Sequence, residues 1–342
     1  MITVVSPGMF TTVQDLGRWG YQVFGMPVAG AMDRYALGVV NLLAGNRADA
    51  PVLEMTMKGG SFRFDKDCYA AIGGGDMQAA LNGQPVANWS SFFVQAGSEL
   101  EFGYAAAGCR GYLAVHGGID VPSVLESRST YVKAGVGGHL GRTLQAGDVL
   151  KAGEFTAGKP QAVSLPKQFI PPANSEITLR VLLGPQDDLF EAEGIATLFG
   201  SPYTITSEAD RMGYRLEGPV IRHKDKADIV SDALCQGAIQ VPGHGMPIIM
   251  MADRQTTGGY TKIGTVIGPD LALLAQAKPG DSIRFVQCGD EEAVGALKTE
   301  QERYTAIEQA LTALAPQPAV LGRSFKVTVN GQAYTIQIQE MV

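Results

Sequence analysis

The sequence predicts a mainly β protein, and three observations lead to that class. Glycine occupies 43 of 342 positions, about 13% against a usual ~7%, without a period or a low-complexity run. Short apolar runs recur about every ten residues through the first third of the chain, which is typical of barrels and sandwiches. Asn82-Gly83 and Asn330-Gly331 each separate two such runs, and Asn-Gly favours a two-residue hairpin turn. We therefore expect strands joined by turns, with few short helices.

The composition limits the function. A chain of 342 residues that is 45% apolar can form two domains, each with its own core. Its net charge of −7 argues against nonspecific nucleic-acid binding, which needs a basic face. No apolar run is long enough to span a membrane, and Met1–Val5 has the pattern of a strand rather than of a signal peptide. The four cysteines lack paired spacing, which is typical of reduced thiols in a cytoplasmic protein.

Local patterns predict the elements of the first half in order. Met1–Val5 is a strand. Asp33 is placed to cap a helix that Gly45 closes. In the strand Leu53–Met57 the residues alternate, which predicts that Glu54 faces outward. Gly73-Gly74-Gly75 is followed by a hairpin rather than a helix, so we interpret it as a barrel corner and not as a dinucleotide loop.

Composition also suggests where the chain divides. Residues 151–176 are rich in Lys, Pro, Ala and Gly without periodicity, which predicts a linker. Residues 1–150 then form an N-terminal β-barrel-like domain, and residues 177–290 form a second barrel. Helices are expected after Pro185 and from Pro269, and residues 291–342 add a helix and a terminal hairpin.

One buried strand ends unusually. Pro247–Ala252 is apolar and stops at a polar run that starts with Asp253 and Arg254 and reaches Tyr260. In one interpretation Asp253 and Arg254 satisfy local backbone groups and Gly258-Gly259 makes a turn. In the other, the strand is a floor that holds a polar cluster at a cleft. The pattern alone leaves both open.

No strict catalytic motif is present: the chain lacks His-Glu-x-x-His, Gly-x-Ser-x-Gly and the Gly-Lys-Ser/Thr loop of ATPases, and its four histidines are scattered. Polar clusters flanked by glycines remain. Arginine suits carboxylate or phosphate, and aspartate can act as a base or a metal ligand. Neighbouring Asp and Arg residues also form internal ion pairs that fix loops, so each single cluster is equally consistent with a structural role.

These clusters belong to longer motifs that resemble the biotin-dependent carboxyltransferase-like family, whose members are also called allophanate hydrolase subunit 2, KipA or the C subunit of 5-oxoprolinase. The resemblance runs from about residue 1 to 290. The motifs that carry it are Thr12–Arg18, Gly30–Asp33, Asn41–Asn46, Leu53-Glu54, Gly117–Ile119, Ser127–Thr130, Gly141-Arg142, Gly184–Asp187, Asp210–Leu216, Gly237–Pro242 and Asp253–Tyr260.

The resemblance implies a pair of cyclophilin-like β-barrels and a place in a larger enzyme. It implies a C subunit that works with a KipI-like B subunit of 5-oxoprolinase and with a LamB/YcsF-like A subunit. The complex would hydrolyse the small molecule 5-oxo-L-proline to L-glutamate, with ATP and Mg²⁺ as its cofactors. Two alternatives remain: a carboxyltransferase-type protein that acts on a urea-like amide with carboxybiotin, and a non-catalytic KipA-like antagonist of a kinase inhibitor. Because Gly59 follows Met57-Lys58, biotin would have to come from a partner.

The motif match and the glycine-flanked clustering together give the expected site. Asp15, Asp253 and Arg254 are the candidates for catalysis, and the location of a metal is unknown. The residues expected to bind substrate or phosphate are Gln14, Arg18, Arg128, Arg142, Asp210, Arg211, Arg215, Gln240, Gln255, Thr257, Gly258 and Tyr260.

Overall fold

The computed structural model describes residues 1–172, 174–314, 321–329 and 332–340, and it confirms a mainly β chain. The first half contains twelve strands within its described residues. They are β1 (Ile2–Ser6), β2 (Phe10–Gln14), β3 (Val52–Thr56), β4 (Ser61–Phe64), β5 (Cys68–Asp76), β6 (Ala80–Leu81), β7 (Gln84–Pro85), β8 (Ser90–Val94), β9 (Glu99–Glu101), β10 (Ala107–Val115), β11 (Ile119–Asp120) and β12 (Val149–Ala152).

These strands form two sheets. One has the order β11-β12-β1-β4-β9-β6-β7, and the other has the order β2-β3-β10-β5-β8. Apolar side chains from both sheets share a core that includes Val4, Val13, Leu53, Phe62 and Leu113. Gly74 has a φ of +81° at an irregularity in the pairing of β5 with β10, and β5 continues through it, so the expectation that no helix follows these glycines is confirmed.

Helix α1 (Arg34–Leu43) covers the other face of the five-stranded sheet. It begins where the sequence predicts, because Asp33 Oδ1 accepts a hydrogen bond of 2.8 Å from the Ala36 N–H. An N-cap of this kind satisfies one of the free N–H groups of the first turn. Gly45, with a φ of +71°, follows the helix end.

The second half is a closed barrel of the order β13-β20-β17-β18-β15-β14-β21. A separate two-stranded ribbon, β16 with β19, lies beside it. The strands are β13 (Glu176–Leu183), β14 (Pro202–Ile205), β15 (Gly213–Glu217), β16 (Asp228–Ala233), β17 (Ala238–Gln240), β18 (Ile248–Met250), β19 (Thr257–Tyr260), β20 (Lys262–Val266) and β21 (Ser282–Gln287). The buried strand expected within Pro247–Ala252 is β18.

Among its described residues, this half contains three further α-helices: α2 (Ala192–Gly200), α3 (Leu271–Ala275) and α4 (Asp290–Leu314). The strands β22 (Leu321–Val329) and β23 (Gln332–Glu340) pair antiparallel, as the terminal hairpin pattern predicts. The turn predicted at Asn330-Gly331 lies outside the described residues. No helix among the described residues is both long and apolar enough to span a membrane.

Residues 151–176, the segment predicted as a linker, pack against both halves of the chain. Leu165 and Phe169 are buried with α1 and with Ile307 of α4, and the Leu165 N–H donates to the Trp89 carbonyl at 2.8 Å. The domain boundaries themselves stay a prediction. What the contacts establish is that α1, this segment and α4 form one apolar layer beside the five-stranded sheet.

Candidate functional site

A buried ion network lies where the two halves meet. Arg211 donates to both carboxylate oxygens of Asp253, from Nε at 2.9 Å and from Nη2 at 2.8 Å. Its Nη1 donates to Glu54 of the first half, and its Nη2 also donates to the Gly30 carbonyl at 2.7 Å. Burial alone would lower the pKa of Arg211, but Asp253 and Glu54 outweigh it and hold that pKa above its ordinary value. Arg211 thus joins the two halves as a permanent cation.

Glu54 corrects the sequence prediction, which placed its side chain outward. The alternation of β3 is as predicted, but the face opposite Leu53 is covered by α1 and by the second half instead of by water. Glu54 is 1% exposed, and its Oε2 accepts from the Met32 N–H and the Tyr112 hydroxyl, both at 2.8 Å. Burial raises the pKa of Tyr112 well above its ordinary value, so its hydroxyl keeps the proton that it donates.

Asp15 holds a neighbouring loop. Its carboxylate accepts from the Gly17 N–H at 2.8 Å, from the Ser127 hydroxyl at 2.7 Å, from the Ser129 hydroxyl and from the Arg128 N–H. All of these donors belong to the loops that Asp15 connects. The geometry therefore favours a structural role for Asp15, although its predicted role in catalysis stays a prediction.

Arg18 and Gln14 lie behind this loop, fully buried. Arg18 Nη2 donates to the Ser129 carbonyl, while Arg18 Nε, Arg18 Nη1 and Gln14 Oε1 have no partner among the described residues. Burial lowers the pKa of Arg18, against the charges of Asp15 and Asp253. Asp15, Arg18, Arg211 and Asp253 are thus brought to one place from widely separated motifs.

Arg254 lies next to this network, because it follows Asp253 directly in the chain. It is 5% exposed, and its partners are the Leu234 carbonyl at 3.2 Å and the Met251 carbonyl at 3.3 Å. Burial, together with the charge of Arg34, lowers the pKa of Arg254 to about 10. Arg34, from the other half of the chain, therefore lies close enough for its charge to disfavour the charge of Arg254.

Arg34 is the half-buried first residue of α1. Its Nη2 donates to Gln236 Oε1 at 3.0 Å, and its guanidinium carbon lies 4.9 Å from the centre of the Trp19 ring, which is 49% exposed. Burial lowers the pKa of Arg34, against the charge of Glu300 in α4. Among the described side chains, neither Arg34 nor Arg254 has a carboxylate oxygen within 4.0 Å. We call Arg34, Arg254, Gln236 and Trp19 the arginine pocket.

Other predicted residues gather at one end of the barrel. Gln240 is 2% exposed and pairs in register with Lys262, and its Nε2 lies 3.4 Å from the Tyr260 carbonyl. A Cβ at Gly258 would lie 2.6 Å from that same Nε2, so a larger residue there would have to displace the Gln240 side chain. Thr257, Gly258 and Tyr260 belong to β19 and not to a turn, and Gln255 is exposed just before it.

Lys262 is the residue at the barrel end that the sequence analysis missed. It is 2% exposed, and its Nζ donates to Asp232 of β16 at 2.7 Å. An inward-facing lysine in a short strand has the same local pattern as an exposed one, so no sequence signal identified it. Among the described residues, no hydrogen bond or ion pair joins Gln240 or Lys262 directly to Arg211, Asp253 or Glu54.

Four predicted residues lie elsewhere. Arg142 pairs with Asp148 at 2.7 and 2.8 Å. Arg215 forms an exposed pair with Glu208 at 3.0 Å. Asp210 accepts the Met212 and Gly213 N–H groups of its own turn. The guanidinium of Arg128 donates to the Val121 carbonyl and lies over the Phe155 ring. For these residues the observed contacts are those of loop and surface structure.

A large cavity of about 1180 Å³ opens on the far side of Asp33, between the first half, β13 and α4. Seven of its lining residues are acidic and three are basic. An acidic wall repels carboxylates and phosphates, so the arginine pocket suits an anion better than this cavity does.

The described residues bring together no group of three or more His, Cys, Asp or Glu side chains that could hold a metal ion. All four cysteines are free, as predicted. Besides Lys262, the residues that the sequence analysis missed are Arg34, Trp19 and Gln236 in the arginine pocket, and Glu54 and Tyr112 in the ion network.

Comparison with known proteins agrees with this architecture. The family model for the carboxyltransferase domain, subdomain A and B, matches residues 24–287. The chain is 39% identical to the C subunit of 5-oxoprolinase from Escherichia coli and 36% identical to that from Haemophilus influenzae. Each match covers 89% of this chain and 96% of the relative.

A solved structure shows the same fold. The urea carboxylase of Kluyveromyces lactis superposes with a TM-score of 0.86 and 28% sequence identity, over 99% of this chain and 32% of that one. The match of a family model to most of the chain and the two relatives of nearly equal length lead to the same assignment. The chain belongs to the family of carboxyltransferase domains with subdomains A and B.

Proposed function

We propose that this chain is the C subunit of a 5-oxoprolinase that hydrolyses 5-oxo-L-proline to L-glutamate. The observation that carries the proposal is the match to two 5-oxoprolinase C subunits over 96% of their lengths. The urea carboxylase match covers only 32% of that larger chain, so it supports the fold more than the reaction.

The chemistry of the substrate fits a cationic site. A lactam is a resonance-stabilised amide, and 5-oxoproline also carries a carboxylate. When bound to the complex, ATP supplies a phosphoryl group that can make the amide oxygen a leaving group. Such a step needs positive charge near the reacting oxygens, and the arginine pocket offers two guanidinium groups that have no carboxylate partner among the described side chains. Because the described residues form no cluster that could hold a metal, we assign Mg²⁺ no ligand on this chain.

The proposed enzyme is active only as a complex. Relatives that are C subunits imply further subunits, and we propose a KipI-like B subunit and a LamB/YcsF-like A subunit in the cytoplasm. Asp15 and Asp253 are held by hydrogen bonds and ion pairs within this chain, so the base that activates water is expected to come from a partner.

The test is a coupled assay of the reconstituted complex. Glutamate release from 5-oxoproline and ADP formation should both require this chain together with the two partners, and each should stop when ATP is left out. Complexes that lack this chain are the control. Equal turnover with and without it would contradict the proposal.

A second function is favoured by the close superposition on urea carboxylase. In that case the chain would act on a urea-like amide with carboxybiotin from a partner. A biotinylated protein that co-purifies with this chain, together with bicarbonate-dependent turnover of urea, would support it. Tight binding of the B subunit without either turnover would instead indicate a non-catalytic antagonist.

A further inference from the structure

The unpaired charges of the arginine pocket point to a ligand. Arg254 is 5% exposed, and its hydrogen-bond acceptors are the two neutral carbonyls of Leu234 and Met251. A buried cation is costly unless it is paired. Elsewhere in this junction the protein meets that need, because Arg211 is neutralised by Asp253 and Glu54. No carboxylate among the described residues neutralises Arg254 in this way.

Arg34 adds a second cation. It reaches the pocket from α1 of the first half, and its polar partner there is the Gln236 amide at 3.0 Å. The charge of Arg34 lowers the pKa of Arg254, so like charges repel across the pocket, and at Arg34 the charge of Glu300 in α4 does not offset the cost of burial. An anion between the two would remove that repulsion and give both guanidinium groups an acceptor.

The surroundings leave the pocket reachable. Trp19, which packs over Arg34, is 49% exposed, and Cys235 beside Arg254 is exposed as well. Both walls come from stable elements, since Arg34 belongs to α1 and Arg254 follows the buried strand β18. Pockets between two packed halves are preferred places for small ligands.

We propose that Arg34 and Arg254, with Gln236 and Trp19, form a binding site for a small oxyanion, and that within the proposed function this oxyanion is the carboxylate of 5-oxo-L-proline. A phosphate group presents the same chemistry to two guanidinium forks. The carboxylate is favoured because the substrate carries it as a fixed negative charge. Arg34, which no motif of the sequence singled out, becomes a binding residue for the substrate.

Binding can be measured on the full-length chain by calorimetric titration with 5-oxo-L-proline. We expect Arg34→Gln to weaken binding at least tenfold, because the fork loses its charge. Arg63→Gln, at an exposed position of β4, removes the same charge elsewhere and should leave binding within twofold. The affinity of Arg34→Lys should fall between those of the other two variants, since lysine keeps the charge but loses the planar pair of donors of the guanidinium group.

Two further ligands identify the oxyanion. The primary amide of 5-oxo-L-proline lacks the carboxylate and should bind at least tenfold more weakly to the wild type. Inorganic phosphate is the second ligand. If it displaces the substrate, and if Arg34→Gln lowers the affinity for phosphate by the same factor, the oxyanion site is supported with phosphate as its ligand. If the amide binds as tightly as the acid, the proposal is overturned.

Arg254→Gln tests the second arginine, but it also removes the side-chain donor of the Leu234 carbonyl, while the Met251 carbonyl keeps the backbone N–H of residue 254. Its near-ultraviolet circular dichroism must therefore match the wild type before its affinity is interpreted, and if the fold is lost the decision rests on Arg34→Gln. Unchanged affinity in Arg34→Gln overturns the site even if the complex hydrolyses 5-oxoproline. Oxyanion binding that is lost in Arg34→Gln supports the site even if the complex shows no turnover, so the two proposals fail separately.

Discussion

At the scale of single residues, the junction shows how the chain keeps several charges away from water. Arg211 has a carboxylate on each side, Glu54 has three donors, and Tyr112 links Glu54 to the Asp33 N–H at 2.9 Å. Arg211 and Glu54 therefore each have partners on both halves. Removing one member should leave an uncompensated charge, which is the costly event in a buried pair.

The first prediction concerns Glu54. Glu54→Gln should lower the free energy of unfolding by roughly 3 kcal/mol, because two buried cations, Arg211 and Arg110, both lose the charge of Glu54. Arg215→Gln breaks an exposed pair with Glu208 and should cost less than about 1 kcal/mol. Urea denaturation of both variants measures the two values. Similar small losses would show that the network contributes little to stability.

The second prediction concerns pH. Burial raises the pKa of Asp33 from 3.8 to about 6. Because the folded state holds this proton more tightly than the unfolded state, its contribution to stability is full below pH 4 and is lost as the pH rises to about 6, by roughly 3 kcal/mol. Asp33→Asn keeps the cap but cannot ionise, so its stability relative to the wild type should rise over that range.

Asp148 serves as the control, because its pKa is lowered in the folded state whereas that of Asp33 is raised. Its hydrogen bonds from Arg142 lower the pKa of Asp148 to about 2, so its contribution is present above pH 4 and is lost only as the pH falls toward 2. The difference between Asp148→Asn and the wild type should therefore be constant from pH 4 to 7. A constant difference for Asp33→Asn over the same range would contradict the assignment of a raised pKa to Asp33.

At the scale of elements, the loop after Ser129 contains two glycines that are required for different physical reasons. Gly135 and Gly141 have φ angles of +65° and +68°. A Cβ at Gly135 would meet nothing within 4 Å, whereas a Cβ at Gly141 would lie 2.0 Å from the Gly135 carbonyl oxygen. The two positions therefore separate backbone strain from steric clash.

The third prediction uses this pair. Gly135→Ala should cost about 1–2 kcal/mol of unfolding free energy, from the positive φ alone. Gly141→Ala should cost clearly more, because two backbone segments must also move apart. Thermal melts of the two variants give the comparison. Equal losses would mean that the loop opens at little cost.

Local patterns predicted most elements but not which faces are covered. The cap at Asp33, strand β18 and helix α4 follow from signals within a few residues. Glu54 could not be placed in this way. Its strand lies between β2 and β10 with α1 on one face, and a period of two residues cannot tell a face that is covered by a helix from one that is covered by water.

At the scale of the whole molecule, the candidate site depends on contacts between positions far apart in the chain. The motifs predicted Asp253 and Arg254 as chemically important, and the network brings Asp253 to Arg211. Arg34 and Gln236 are 202 positions apart, and neither lies in a charged cluster. Only the packing of the two halves reveals that they meet, so sequence reasoning found one arginine of the pocket and missed the other.

The same packing predicts how the protein unfolds. Gln276 of the second half donates to Asp33 at 2.7 Å and to the Arg110 carbonyl at 3.0 Å, and its Oε1 accepts from the Cys109 and Arg110 N–H groups at 3.1 Å. One amide thus satisfies four groups of the first half. Together with Arg211, it should make the halves unfold in a single calorimetric transition.

The fourth prediction is that Gln276→Leu weakens this coupling. Two buried N–H groups lose their acceptor, at about 1–3 kcal/mol each, and that cost falls on the junction rather than on either core. Scanning calorimetry should then show two transitions or a markedly broader one. Gln186→Leu removes an amide that bonds only to Lys262 and Asp232 of the second half, so it should lower the melting temperature while the transition stays single. A single, equally sharp transition in Gln276→Leu would mean that apolar contacts alone hold the halves together.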